Sequence, residues 1–213
     1  MRTDLIFWDV DTQVDFMKAD GKLYVPDSES IIPVVARLTD YAHAHRIRIL
    51  ASSDDHVPGH RELSTTPDWN ETFPDHCMRG TPGQLKIAET TLRHPLRIEP
   101  EPQDPATIGA RARGHDGDIL FLKHWFDVFT NANVRPVLDL LKPTRVVLYG
   151  VATDVCDKYA IEGLLEHAPQ AEIHFVVDAA RAIHEEDVDA LLEGWRRQGV
   201  RMTTAAEILA GGA

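Results

Sequence analysis

The chain has 213 residues, 43% of them apolar, with 22 basic and 34 acidic side chains and a formal net charge of −12. Such a length and composition suit one soluble globular domain over residues 1–213 and exclude a disordered, collagen-like or disulfide-framework chain. An acidic surface repels phosphate backbones and anionic lipid, so neither nucleic acid nor membrane is an expected partner.

From the N-terminus, Leu5-Ile6-Phe7-Trp8 is a short apolar strand broken by Asp9. It has neither the length of a membrane span nor the form of a signal peptide, and a cytoplasmic protein is expected. Residues 29–45 space Ile32, Val35, Leu38 and Tyr41 three apart, the pattern of one helical face. Residues 47–51 form a second strand. The stretch 54–116 is rich in Pro, Gly, Asp and His and reads as a long functional insertion. Residues 118–123 are a third strand and 134–141 a short helix stopped before Pro143. Residues 146–149 are a fourth strand, closed by Gly150. A helix over 154–167 takes Thr153 or Asp154 as its N-cap. Residues 173–177 are a fifth strand, 185–198 a helix ended by Gly199, and 200–203 a sixth strand before a last helix to Leu209. Alternating strands and helices, with strands that are continuously apolar, predict a six-stranded, mainly parallel sheet covered by helices on both faces.

Ligands of such folds sit beyond the carboxyl ends of the strands, so the chemistry is sought there. Cys156 lies where strand four runs into a helix. In the first turn of a helix a thiol feels the positive end of the dipole, and free backbone N–H groups can hold an oxyanion. The alternative is a small buried apolar residue. Asp9 or Asp11, at the end of strand one, can exchange a proton with that thiol, and the spacing leaves the choice between them open. Lys123 ends the third strand and is either a partner of the thiol or a snorkelling surface lysine. Asp54, His56, His60 and His76 put one carboxylate and three imidazoles on one stretch of chain, a ligand set suited to Zn, Fe, Mn or Co. Cys77 reads as a core thiol, and His124 is ambiguous.

Together these pieces resemble the nicotinamidase/isochorismatase-like cysteine hydrolases, over Leu5 to about Ala180. The run Asp11-Thr12-Gln13-Val14-Asp15-Phe16 is similar to the family's first motif, and the resemblance selects Asp11 over Asp9. Lys123 matches the family lysine. Gly150-Val151-Ala152-Thr153-Asp154-Val155-Cys156 resembles the nucleophile motif, which implies a cis peptide before Ala152 and an oxyanion hole from the N–H groups of Ala152 and Cys156. The segment Asp54–Gly83 resembles the metal loop of the nicotinamidase branch, and so implies Asp54, His56, His60 and His76 as ligands of a divalent metal, zinc first, with iron or manganese as alternatives. Phe16 and Phe73 match the two aromatic positions around the substrate ring. Departures are Val14 where Asn is usual and Phe73 where Trp is common. The resemblance implies a three-layer α/β/α sandwich of 1–213 with the metal-loop insertion at about 54–116. It further implies an amidase for a small-molecule amide, nicotinamide foremost, acting through a thioester in NAD salvage, and a homodimer or homotetramer. Other small amides or carbamoyl compounds, a metal-hydroxide hydrolase, and a non-catalytic binding protein on the same fold are the competing readings.

Overall fold

The computed structural model describes residues 2–212. Its strands are β1 (Arg2–Val10), β2 (Ile47–Asp54), β3 (Leu96–Ile98), β4 (Ile119–Lys123), β5 (Arg145–Val151), β6 (Glu172–Arg181) and β7 (Arg201–Thr203). They form one sheet in the order β3-β4-β2-β1-β5-β6-β7, every pairing parallel. The helices are α1 (Val14–Met17), α2 (Ser28–Ala44), α3 (Pro105–Gly114), α4 (Val134–Leu141), α5 (Cys156–His167), α6 (Val188–Arg197) and α7 (Ala205–Glu207).

Successive side chains of a strand point to opposite faces, and here both faces are buried. In β1, Leu5 and Phe7 pack with Val35 and Leu38 of α2 and Ala205 of α7. Ile6, Trp8 and Val10 pack on the other side with Ile108 of α3, Leu138 of α4, Ile161 of α5 and Trp195 of α6. The three-layer sandwich expected from the sequence is therefore present. No helix of the described residues is long and apolar enough to cross a membrane.

The sheet has seven strands, not six. The additional one, β3, is a three-residue edge strand within the stretch read as irregular, with burial falling off outside Ile98. The same stretch holds α3, whose Asp104 side chain accepts the Thr107 N–H as an N-cap, followed by Pro105 at the first helical position. The expected cap of α5 is also corrected. Val155 occupies that place, and Asp154 turns away to accept the N–H groups of Ile183 and His184. The helix expected over 185–198 is a 3-10 turn (Glu185–Asp187) leading into α6, and Gly199 follows with φ +93°.

The chain leaves β1 toward β2 on one side and resumes at β5 on the other, so the sheet grows in opposite directions from β1. The crevice at such a switch point is the natural place for a site. The two loops that meet there are 11–16 and 150–156. Gly150 permits this approach: its φ is +140°, and a Cβ would stand 2.0 Å from the Val10 carbonyl oxygen.

Candidate active site

Asp11, Asp54, Lys123 and Cys156 leave the carboxyl ends of β1, β2, β4 and β5 and converge in the interior. Lys123 is the hub. Its Nζ lies 2.9 Å from Asp11 Oδ2, donates to Asp54 Oδ1, and stands 3.6 Å from Cys156 Sγ. This excludes the snorkelling alternative for Lys123, which is fully buried. Burial would deprotonate the ammonium, but Asp11, Asp54 and Cys156 more than offset it and hold the lysine well above its ordinary pKa. Burial raises the Asp11 carboxyl; Lys123 opposes the rise and Asp54 adds to it. Burial also pushes the Cys156 thiol well up, against the pull of Lys123. Lys123 thus touches both the Asp11 carboxyl and the Cys156 thiol. Cys156 opens α5, so its own N–H has no partner within the helix. The Val151–Ala152 peptide is cis, as the resemblance implied.

Asp9 takes a different part. It is buried against Lys86 Nζ at 3.0 Å and accepts from the Thr12 hydroxyl at 2.8 Å. Three residues of the first motif act as scaffold or wall. Gln13 clamps the backbone of Asp54 from both sides, its Nε2 donating to the Asp54 carbonyl at 2.9 Å and its Oε1 accepting the Asp54 N–H at 2.7 Å. Asp15 accepts the Cys77 N–H at 2.7 Å, which fixes the backbone beside His76, and the fit leaves no room for a Cβ at Gly83. Phe16 lines the pocket, as does Phe73, together with Phe126, Val155 and Ile183. Sequence reasoning singled out Phe16 and Phe73 but not Phe126, which follows Lys123 by three residues and packs edge-on to Phe73 at 5.9 Å.

Beside Lys123 the buried side chains of Asp54, His56, Glu62 and His76 turn ligand-type atoms toward one another, all within 4.8 Å. His76 Nε2 lies 3.3 Å from Glu62 Oε1 and 3.7 Å from Asp54 Oδ2, and His56 Nε2 3.8 Å from Glu62 Oε2 and 3.9 Å from Asp54 Oδ2. Donors bound at about 2.0–2.2 Å around one tetrahedral ion stand about 3.3–3.6 Å apart, close to this spacing. His56 Nε2, His76 Nε2 and Glu62 Oε2 have no hydrogen-bond partner among the described residues. Orphaned atoms of both donor types facing one point fit a divalent cation. Burial pushes His56 down to about 4, while Asp54 and Glu62 overcome burial and lift His76 to about 10.

His60, expected among the ligands, stands outside this group. Its Nδ1 lies 3.3 Å from His56 Nδ1 and 3.4 Å from the Val57 N–H. An atom approached by a backbone N–H is an acceptor, so the proton of the imidazole pair resides on His56 Nδ1. That tautomer leaves the His56 Nε2 lone pair directed at Asp54 and Glu62. The chain turns tightly after His60, where the Leu63 N–H returns to the His60 carbonyl at 3.0 Å. The Phe73 N–H then binds the Glu62 carbonyl at 2.8 Å, setting Glu62 inward. The only signal for Glu62 in the sequence was a carboxylate six residues after His56, in a loop rich in acids. Cys77 is a buried thiol pushed well up by burial, in keeping with a core role. His124 stacks near His60, ring centroids 4.3 Å apart.

The isochorismatase domain model matches residues 5–207. This chain is a hydrolase of the isochorismatase family. It is 26% identical over 206 residues to the nicotinamidase/pyrazinamidase of Mycobacterium tuberculosis, covering 92% of this chain and 97% of that one. The Escherichia coli nicotinamidase is 26% identical over 199 residues, 85% and 84% of the two chains. Among solved structures, the pyrazinamidase of Pyrococcus horikoshii in complex with zinc superposes with a TM-score of 0.72, at 23% identity, over 94% of this chain and 99% of that one. In the family member described here a glutamate stands in the cation-type cluster, and His60 lies outside it with its Nδ1 3.3 Å from His56 Nδ1.

Proposed function

We propose that this family member hydrolyses a small-molecule amide to the acid and ammonia through a cysteine thioester, with nicotinamide as the leading substrate. The observation that carries the reading is the placement of Lys123 Nζ against both Asp11 and Cys156 Sγ, at 2.9 Å and 3.6 Å. The amide carbonyl enters between Phe16 and Phe73. Asp11 accepts the thiol proton as Sγ bonds to the carbonyl carbon. The N–H groups of Ala152 and Cys156 hold the oxyanion, and Lys123 balances the negative charge. Asp11 then gives its proton to the departing nitrogen as the C–N bond breaks and ammonia leaves. Water, deprotonated by Asp11, opens the thioester, and the proton returns to Cys156.

Asp54, His56, Glu62 and His76 would hold the divalent metal, with zinc first and iron or manganese as alternatives. When bound, the metal supplies a Lewis-acid contact for a polar atom of the substrate. Two carboxylates and two imidazoles make this a harder set than one carboxylate with three imidazoles. The homology to nicotinamidases supports the amide class, and the substrate ring is supported by the aromatic walls at Phe16 and Phe73.

The test is ammonia release by metal-loaded protein from nicotinamide, beside a panel of aliphatic and carbamoyl amides. Cysteine-dependent release from nicotinamide is expected, with Cys156→Ala at least about 10³-fold slower and unchanged in metal content. Release from another amide alone moves the substrate and keeps the chemistry. Full activity in Cys156→Ala, abolished by chelation, would replace this mechanism by metal-hydroxide hydrolysis.

A further inference from the structure

Among the described residues, Trp69 is the larger of the two big apolar side chains exposed at the surface, at 55%, and its backbone φ is +62°. Bulky residues rarely adopt that left-handed conformation. The turn around it is firmly tied. One oxygen of Asp68 accepts the N–H groups of Asn70, Glu71 and Thr72 at 2.8–2.9 Å, and the Trp69 N–H donates to the Thr72 carbonyl at 3.1 Å. The indole meets Phe73 edge-on, centroids 6.3 Å apart at 88°. It borders a cavity of about 420 Å³ whose lining also includes Tyr159. Phe73, Phe126, Val155 and Ile183 wall both this cavity and the pocket that holds Cys156, so the two spaces adjoin across these side chains. A volume of this size is in the range of small-ligand sites. Its charged lining, Lys158 against Asp154 and Asp187, has no excess of positive charge to select an anion.

We propose that the outer cavity is a second substrate subsite, and that the chain takes aryl carboxamides bearing a further planar, uncharged group that stacks on Trp69 while the amide reaches Cys156. This rests on the amide-hydrolase reading above. Trp69 is held in place before the ligand arrives, so little ordering is needed on binding. An aromatic face offered at a fixed position favours a flat partner.

The experiment compares nicotinamide with the positional isomers of phenylnicotinamide on the metal-loaded wild type, Trp69→Ala and Trp69→Phe. In parallel, equilibrium binding of the matching phenylnicotinic acids is measured on Cys156→Ala with and without Trp69→Ala. For at least one isomer, Trp69→Ala is expected to lower kcat/KM about tenfold, mainly through KM, with nicotinamide changed less than about twofold. Trp69→Phe should restore most of the loss, and the acid should bind about tenfold more weakly without the indole. Equal losses on nicotinamide and every isomer, or no loss on any, would overturn the subsite. If no amide is hydrolysed but acid binding still depends on Trp69, the subsite stands and the amidase reading falls. Cysteine-dependent hydrolysis of nicotinamide with no effect of Trp69 does the reverse.

Discussion

At the scale of single residues, the site is defined as much by acceptors and unpaired atoms as by its nucleophile. Under the proposed ligand set, Glu62 contributes a donor atom and His60 only sets the tautomer of His56. The two substitutions should therefore separate. Glu62→Gln keeps the shape but removes the charge, and should weaken zinc or manganese binding by more than about 100-fold. His60→Ala should cost about 10–100-fold, as outer hydrogen-bond partners of ligating histidines do. Competition dialysis with metal analysis reads both, and equal losses would return His60 to the ligand set. A second residue-scale case is Asp157, beside the nucleophile. It is fully buried, both carboxylate oxygens lack a hydrogen-bond partner among the described residues, and burial, reinforced by Asp11, Asp154 and Asp9, raises it well above the ordinary range. A carboxyl raised in the folded state is protonated there and ionised in the unfolded chain. Its contribution is complete below the unfolded pKa of about 3.9 and is lost as pH climbs toward the folded value. Asp157→Asn cannot ionise, so its Tm advantage over wild type should grow from pH 5 to pH 8, by about 2–4 °C for each kcal/mol recovered. An advantage independent of pH would mean that Asp157 is ionised when folded.

At the scale of elements, the legible parts were those whose physics is local. Strands β1, β2, β4, β5 and β6 are buried on both faces and read as apolar runs, α2 lies where its periodicity put it, and α4 ends before Pro143 as expected. The convergence of Asp54, His56, His76, Lys123 and Cys156 on one edge of the sheet was legible because motif spacing and strand ends coincide, whereas spacing alone did not separate Asp11 from Asp9. Strand β3 was not, because three edge residues are too few for a pattern; α3 has an Asp-Pro start but a weakly amphipathic sequence. Glu62 was hidden because its inward turn is set by a bond between the backbones of Glu62 and Phe73, which no side-chain pattern announces. The approach of β5 to β1 is also set by one atom's absence, at Gly150. Gly150→Ala would bring a Cβ into the Val10 carbonyl at an unfavourable φ, and both effects act on the β1–β5 pair that carries the two loops of the proposed active site. The expected result is a loss of at least about 3 kcal/mol, read by denaturant unfolding, or failure to give soluble protein. A neutral effect would show that β1 and β5 can part without cost.

At the scale of the whole molecule, the long segment between β2 and β3 is tied to the rest of the fold by polar contacts and by single buried side chains such as Phe73, Cys77 and Ile87. Gln13 donates to the Gln84 carbonyl, Asp15 accepts the Cys77 N–H, the Val14 N–H donates to the Leu85 carbonyl and the Ile87 N–H to the Thr12 carbonyl. The proposed ligands straddle this join: Asp54 ends a central strand, while His56, Glu62 and His76 belong to the segment. A cation bound there closes a loop of 22 residues between Asp54 and His76 and neutralises two buried carboxylates at once. Binding that favours the folded state stabilises it by about 2.7 kcal/mol when free metal is 100 times Kd. For a chain of this length that is a Tm shift of about 5–10 °C. Zinc or manganese should therefore raise Tm by about that amount and a chelator should reverse it. Cys156→Ala should respond in full, because the thiol lies outside the cluster, and Glu62→Gln should respond little. Hydrogen exchange locates the effect: on chelation, protection should fall first at the amides of His56, Phe73 and Cys77, whose bonds tie the segment to itself and to Asp15, while β1 and β5 stay protected. Uniform loss across the sheet would mean that the ion supports the whole fold and not this join.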